Sequence, residues 1–488
     1  MQEFIVRYFP EILLKSRSVR QYCTKRLIWN IERLLKAIHP SCHVERRWAE
    51  ARVTCPKEVV AQVKEILAHT PGIDKSMSIV RSPWETLEDI AEKAVELYGG
   101  MIQGKTLAVR VKRPKKKTGF TSQQAEREIG GRLMSLGLAK KVDLTHPEIK
   151  IEIVVEEQEA LFFHERIPGL GGFPLGTQGR CLSMISGGYD SSVASFKSIR
   201  RGMVTHFLFF NLGGIAHERA VKQHAYYLWK RFGASHSVKF VSVPFEEVVA
   251  EILDKVDDGY MGVFIKRAFL KAATPIAARL NCPAIVTGEA IAQVSSQTLA
   301  NLQIIDTATD RLVVRPLIVA DKQETIRECG RIGTRAFADR MPEYCAVISS
   351  RPTIAANAEK MAKEEEKFPW EVLERAVEQA VYLPIESIAE EAHEVEEVPV
   401  FDELDPETDI IIDIRSEEFR QKRPLNTGSV PVIEMKLTEV QSRFPALPPL
   451  PDKRYALVCL RGITSREKAA TLREAGFSNV GVYLLDSK

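Results

Sequence analysis

The sequence is short of the features that would place it in several common classes. It has eight cysteines in 488 residues, none paired as Cys-x-x-Cys and none at a zinc-like spacing from histidine. That excludes a zinc knuckle or a thioredoxin-like pair and points to reduced thiols in a cytoplasmic chain. No run of eighteen apolar residues occurs, and Met1-Gln2-Glu3 does not open a signal peptide, so no membrane partner is expected. The net charge is only +3, so total charge identifies no partner and local charge must. The length leaves room for three or four domains, each with its own core.

What the chain does have is a distinctive stretch at 181–192, Cys181-Leu182-Ser183-Met184-Ile185-Ser186-Gly187-Gly188-Tyr189-Asp190-Ser191-Ser192. An apolar run of strand character breaks at two glycines, and small hydroxylated residues open a helix. Such a turn lets backbone N–H groups converge on an anion at the helix N-terminus. Ser186, Ser191 and Ser192 add hydroxyl donors, and Asp190 can hold Mg2+ beside a phosphate. The bland alternative is an ordinary strand–turn–helix bend. Ser-Gly-Gly-x-Asp-Ser in this setting resembles the PP-loop of ATP pyrophosphatases, which cleave ATP between its α and β phosphates.

Ahead of this stretch lie two α/β regions. Residues 1–60 show a strand at 3–8, a helix over 19–38 with Leu27, Ile31, Leu34, Leu35 and Ile38 on one face, and a strand segment at 44–53. Lys15, Arg17, Arg20, Lys25, Arg26 and Arg33 make this region basic, which fits either a solvated face or RNA contact. Residues 61–166 repeat the alternation, with helices at 57–67, 86–97 and 122–136 and strands at 75–81, 106–111 and 148–155. The 106–111 strand carries Arg110 and runs into Lys112, Arg113, Lys115, Lys116 and Lys117, the most basic part of the chain. A strand end with this many cations suits a phosphate backbone, although a solvated loop would look the same. Gly99 to Thr106 matches Walker A spacing, but a helix precedes the glycines and a strand follows, the reverse of a P-loop.

Beyond the glycine turn, strands at 206–211, 239–243 and 284–287 alternate with helices to about 201 and over 218–232 and 261–280. This pattern predicts a parallel sheet with ligands at the strand carboxyl ends. Gly288 falls on that edge, Lys266 can reach phosphate from a helix, and Gln297 follows in a polar segment. Lys322 can neutralise charge developing on phosphate. Acidic residues then dominate 386–397, which reads as a linker. A last α/β unit has strands at 409–415 and 455–458 and a helix over 467–475, with Cys459 at the strand–loop–helix junction. A cysteine there lies within backbone N–H groups, and the helix dipole with Arg461 or Arg466 favours thiolate. A buried structural cysteine remains the alternative. A phosphatase loop would need arginine where Ser465 stands.

Taken together, these blocks resemble the rhodanese-bearing form of the tRNA 4-thiouridine sulfurtransferases. Asn211-Leu212-Gly213-Gly214, 286–290, 293–298 and Met341-Pro342-Glu343-Tyr344-Cys345 look like family blocks. The fold class expected is α/β multidomain: an N-terminal α+β ferredoxin-like unit (1–60), a THUMP RNA-binding unit (61–166), a parallel-sheet PP-loop domain (175–385), an acidic linker (386–403) and a C-terminal rhodanese-like α/β domain (404–488). The resemblance implies ATP contacts at Met184, Ile185, Lys266, Gly288 and Gln297, a persulfide on Cys459 and a resolving role for Cys345. It also implies tRNA as substrate, modified at uridine 8, and a cysteine desulfurase as sulfur donor. Sulfur transfer towards thiamine thiazole through a carrier protein and a homodimer belong to the same implication. Two rivals are a PP-loop ligase or amidotransferase on a small molecule, which needs no Cys459, and a non-catalytic RNA-binding protein, which needs neither Asp190 nor Lys322.

Overall fold

A computed structural model of the chain describes residues 1–114, 119–212, 214–339, 341, 349, 351–391, 398–401, 404–415, 417–422, 424–425, 428–436, 439–447, 450, 453–459 and 463–484. Contacts divide it into two units, one built on residues 1–179 and the other on the remainder apart from 199–203 and 231–236, which join the first.

The first unit carries one eight-stranded sheet. Its strand order is His43–Arg46, Glu50–Cys55, Gln2–Tyr8, Ile73–Pro83, Glu159–Pro168, Ile149–Val155, Thr106–Lys112, Lys141–Val142. Two cores sit on it. The first gathers Phe4, Val6, Leu27, Ile31, Leu35 and Val53 under helix Arg17–Ile38. Its apolar residues recur every third or fourth position, so one stripe is buried and the basic residues stay outside. Helix Val60–His69, expected to open the second region, packs Val63 and Leu67 into this first core. The first region therefore reaches past residue 60. The second core joins Ile90, Ala94, Leu107, Val109, Ile129, Leu133, Ile151, Ile153 and Phe162. Its helices, Leu87–Tyr98 and Ser122–Ser135, each start with a capping box, Thr86 with Asp89 and Thr121 with Gln124. Around the Walker-like glycines, helix Leu87–Tyr98 comes first and strand Thr106–Lys112 follows, as anticipated.

In the second unit a six-stranded sheet runs Leu312–Val314, Ala284–Val286, Arg180–Met184, Val204–Asn211, Lys239–Pro244, Val381–Pro384. All neighbours are parallel except the last pair. The near-continuous Val-Ile-Leu-Phe strands are what burial on both faces demands. Helix Met261–Arg279 is buried along most of its length, and Phe269 stacks on Phe210 with ring centroids 4.6 Å apart. A four-stranded parallel sheet closes the chain, ordered Val432–Glu434, Asp409–Asp413, Arg454–Val458, Val480–Val482.

The described ends of the stretch expected as an acidic linker, 386–403, make defined contacts. Residues 385–391 form helical turns that bury Ile385 and Ile388, and Phe401 N–H already bonds the carbonyl of Val482 at 2.8 Å. Apolar residues among the glutamates anchor both ends, while 392–397 and 402–403 lie outside the described residues. Among the described residues no helix is long and apolar enough to cross a membrane.

Candidate active site

Strand Arg180–Met184 is central in its sheet, flanked by Val204–Asn211 and Ala284–Val286. Its carboxyl end is fixed in height by Ile185, buried, whose N–H donates to the Leu208 carbonyl at 2.8 Å. The chain then turns at Gly187, with φ of +84°, where a Cβ would lie 2.9 Å from the Met341 side chain. Both the left-handed backbone and the close neighbour require glycine. The turn is held internally. Ser186 N–H donates to Ser191 Oγ at 3.2 Å, and the Ser191 and Ser192 hydroxyls donate to the Gly188 carbonyl at 3.1 and 2.7 Å. Helix Tyr189–Arg200 follows directly, so its first-turn amides face the carboxyl edge of the sheet.

Asp190 and Lys322, separated by 131 intervening positions in sequence, meet here. Asp190 Oδ2 accepts from Lys322 Nζ at 2.9 Å and from Gln293 Nε2 at 2.8 Å. Lys322 opens helix Lys322–Ile332, whose start is fixed by a capping box of Asp321 with Glu324. Gly288 lies against the same helical turn: a Cβ on it would be 2.7 Å from the Asp190 carbonyl carbon. Only glycine lets the end of the 284–286 strand come this close.

Lys266 does not stand alone. Its Nζ pairs with Glu289 at 2.7 Å, Glu289 pairs with Arg315 Nε at 2.7 Å, and Arg315 pairs with Asp306 at 2.6 Å. Burial opposes the Glu289 charge, but Lys266 and Arg315 outweigh it and hold the carboxyl at about 2. Gln297, buried, accepts from the Ala290 N–H at 3.2 Å, which ties the polar 288–297 segment onto itself. Met184 packs at the edge of the core below.

Near the end of the described chain, Cys459 follows strand Arg454–Val458 and is buried. Ser465, in the first turn of helix Ile463–Glu474, donates its N–H to the sulfur at 3.3 Å, and its Oγ is also 3.3 Å away. A sulfur anion there meets a backbone donor, a hydroxyl and the positive end of a helix. The other described cysteines are also buried and free, and burial pushes Cys181 and Cys282 up to about 12. Those thiols are inert packing groups.

Comparison with known proteins resolves the identity of this arrangement. Residues 3–78 match a ThiI ferredoxin-like domain, 85–165 a THUMP domain, and 176–370 the family described as thiamine biosynthesis protein (ThiI). Curated tRNA sulfurtransferases of Shewanella amazonensis and Photorhabdus laumondii are 45% and 44% identical to the chain, each over 99% of both proteins. The chain belongs to the tRNA sulfurtransferase family. Among solved structures, a 4-thiouridine synthetase crystallised with RNA and ATP shares the fold, with a TM-score of 0.69, 24% identity, and coverage of 79% of this chain and 99% of its own. A Pyrococcus horikoshii protein, PH1313, shares it at a TM-score of 0.52 and 20% identity, over 68% of this chain and all of its own.

In this tRNA sulfurtransferase the site residues named from sequence do not all gather in one place. Ser186, Gly187, Gly188, Asp190, Ser191, Ser192, Gly288 and Lys322 come together at one turn, and Lys266 and Gln297 each bond the segment that follows Gly288. Arg110 and Arg113 are committed to local bonds, Arg110 to the carbonyls of Val109 and Leu144 and Arg113 to Ser122 and the Phe120 carbonyl. Lys112 is exposed at the strand end. Lys115, Lys116, Lys117, Cys345 and Arg461 lie outside the described residues, as does the side chain of Arg466. Sequence reasoning missed Glu289, Arg315 and Gln293 as partners in this sulfurtransferase, and it missed two histidines beneath the turn. Glu289 and Gln293 stood inside stretches already singled out, but only the fold brings Glu289 and Arg315 to Lys266 and Gln293 to Asp190.

Proposed function

We propose that this sulfurtransferase uses ATP to activate the C4 oxygen of uridine at position 8 of tRNA and replaces that oxygen with sulfur carried on Cys459. The observation that carries the proposal is the meeting of Asp190, Lys322 and Gly288 on the 186–192 turn at the carboxyl edge of a parallel sheet. A phosphate chain seated there finds backbone amides, hydroxyls and an ammonium group. The C4 oxygen is a poor leaving group, so it attacks the α phosphate, and pyrophosphate departs into the turn. Lys322 and the first-turn amides stabilise the charge that grows on the departing phosphate. Among the described residues no cluster of three or more His, Cys, Asp or Glu could hold a metal. Asp190 is the turn's single carboxylate, which fits Mg2+ arriving with the nucleotide, since that ion keeps waters and phosphates and takes few protein ligands. Bound so, Mg2+ would add Lewis-acid neutralisation of phosphate charge.

Sulfur enters as a persulfide on Cys459, supported by the Ser465 N–H and the helix end behind it. A cysteine desulfurase, acting in the cytoplasm, loads it. Cys345 thiolate attacks Cys459 Sγ and releases the outer sulfur as a sulfide equivalent, which adds to C4 as AMP leaves. The two thiols are oxidised to a disulfide while the outer sulfur is reduced, and a cellular reductant restores them. The same persulfide supplies the thiamine-thiazole branch through a sulfur-carrier protein, and a homodimer is part of the proposal. AMP formation from ATP with and without tRNA, together with nucleoside analysis for 4-thiouridine, tests the core. Strong AMP formation without tRNA would favour a small-molecule ligase, and no turnover at all would favour an RNA-binding protein.

A further inference from the structure

Beneath the nucleotide turn, helix Gly214–Leu228 places two buried histidines two turns apart on one face. His217 Nε2 lies 3.4 Å from the Ser186 carbonyl, and His224 Nε2 lies 2.9 Å from Ser192 Oγ. His224 is wholly shielded from solvent. Ser192 has one hydroxyl proton, and its geometry directs that proton to the Gly188 carbonyl at 2.7 Å. Ser192 can then only accept from the imidazole, so His224 carries its proton on Nε2. Nδ1 has no partner among the described residues, so the proton belongs on Nε2, and the ring's donor is also within reach of the Gly187 carbonyl in the same turn. Burial pushes both histidines down to about 4, so each is uncharged at neutral pH. The His224 ring also stacks on Phe337, with centroids 5.0 Å apart at 23°. Phe337 lies in the short helix Arg335–Ala338, just before Asp339, which bonds the Tyr189 hydroxyl, and Met341, which abuts Gly187.

A fully buried imidazole with one bare nitrogen is a poor choice for packing alone, because a leucine or phenylalanine would fill the space without that loss. What the imidazole supplies is a directed donor on one edge and a flat face on the other. We propose that His224 is a positioning residue for nucleotide activation: its Nε2–H fixes Ser192, Ser192 fixes the Gly188 peptide, and the ring face seats Phe337 and the segment that bonds Tyr189. The Gly188 peptide belongs to the turn on which the pyrophosphate would depart, so its orientation bears on the transition state. The inference rests on the nucleotide reading of the turn given above and adds the group that orients it.

The test uses the full-length protein, unmodified tRNA and ATP, with AMP formation as readout. His224→Phe keeps the ring face and removes the donor. His224→Gln returns an N–H near the Nε2 position, whereas His224→Asn places its amide too short to reach. The expected result is a kcat lowered about tenfold or more in His224→Phe and His224→Asn, with KM for ATP changed less, and recovery to within about threefold in His224→Gln. Paired with Ser192→Ala, His224→Phe should cost little more than Ser192→Ala alone, since both act on one hydrogen-bonded unit. Full additivity of the two, or a kcat in His224→Phe equal to the wild type, would overturn the proposal. If His224→Phe does not fold, His224→Asn against His224→Gln decides: equal kcat in the two would overturn it. A wild-type protein that makes no AMP with tRNA would instead refute the nucleotide reading itself.

Discussion

Glu289→Gln removes the charge on which Lys266 and Arg315 converge while keeping the side chain's shape. All three side chains are largely shielded, and Glu289 Oε1 and Oε2 each take a cation at 2.7 Å. The carboxyl sits at about 2 against an ordinary 4.5, a difference worth about 3 kcal/mol of folding stability at neutral pH. Because the folded value is depressed, this stability is fully present above pH 4.5 and is lost as pH falls towards 2. At about 2–4 °C per kcal/mol for a domain of this size, the variant should melt about 6–12 °C below the wild type at pH 7. Breaking a buried pair by removing one partner typically costs a similar amount. Differential scanning calorimetry of both proteins at pH 7, 6, 5 and 4 checks it, following the transition of the nucleotide-binding domain. The gap should hold constant to pH 5 and begin to close below 4.5. A gap under about 2 °C at pH 7, or one that widens on acidification, would refute the ion-pair reasoning.

Other outcomes follow from the same geometry. Asp190→Ala frees Lys322 and removes the turn's only carboxylate, so AMP formation should stop while tRNA affinity, measured by filter binding, stays within about twofold; near-normal AMP production would contradict the assignment. Replacing Lys112, Lys115, Lys116 and Lys117 by glutamine should weaken tRNA binding and flatten its dependence on salt, each lost phosphate contact lowering the log–log slope by roughly one. An unchanged slope would move the RNA surface elsewhere. One turnover without reductant should yield a Cys345–Cys459 disulfide, detectable by peptide mapping, and Cys345→Ala should slow thiolation without blocking sulfur loading. Normal thiouridine yield with no cross-linked peptide would make Cys345 a packing residue.

Much of the fold is written in local pattern. The helix at Arg17–Ile38 and the strand at Arg180–Met184 follow from stripe and run, and Ser-Gly-Gly-x-Asp-Ser places the turn. The losses have physical causes. Residues 44–53 read as one strand, yet the chain forms a hairpin of His43–Arg46 with Glu50–Cys55, because nothing around Trp48-Ala49 marks a standard turn. Strand Glu159–Pro168 went unread, since its apolar Ala160-Leu161-Phe162 start gives way to polar His164-Glu165-Arg166. Glu246–Lys255, a short helix with only Val248 and Ile252 fully buried, was missed for a similar reason. At the site, the glycine turn was legible because its chemistry is contiguous. The Lys266–Glu289–Arg315 chain and the His224–Ser192 contact join residues 23 to 32 positions apart, and only the packing of strand edges and helices reveals them.

The most direct measurement loads the full-length protein with a single labelled persulfide sulfur and adds ATP and unmodified tRNA in one turnover. Label should appear as 4-thiouridine at position 8, with one AMP and one pyrophosphate per sulfur transferred, and Cys459→Ser should still form AMP but no thiouridine. Thiouridine formed at normal yield by Cys459→Ser, or by the wild type without ATP cleavage, would contradict the mechanism.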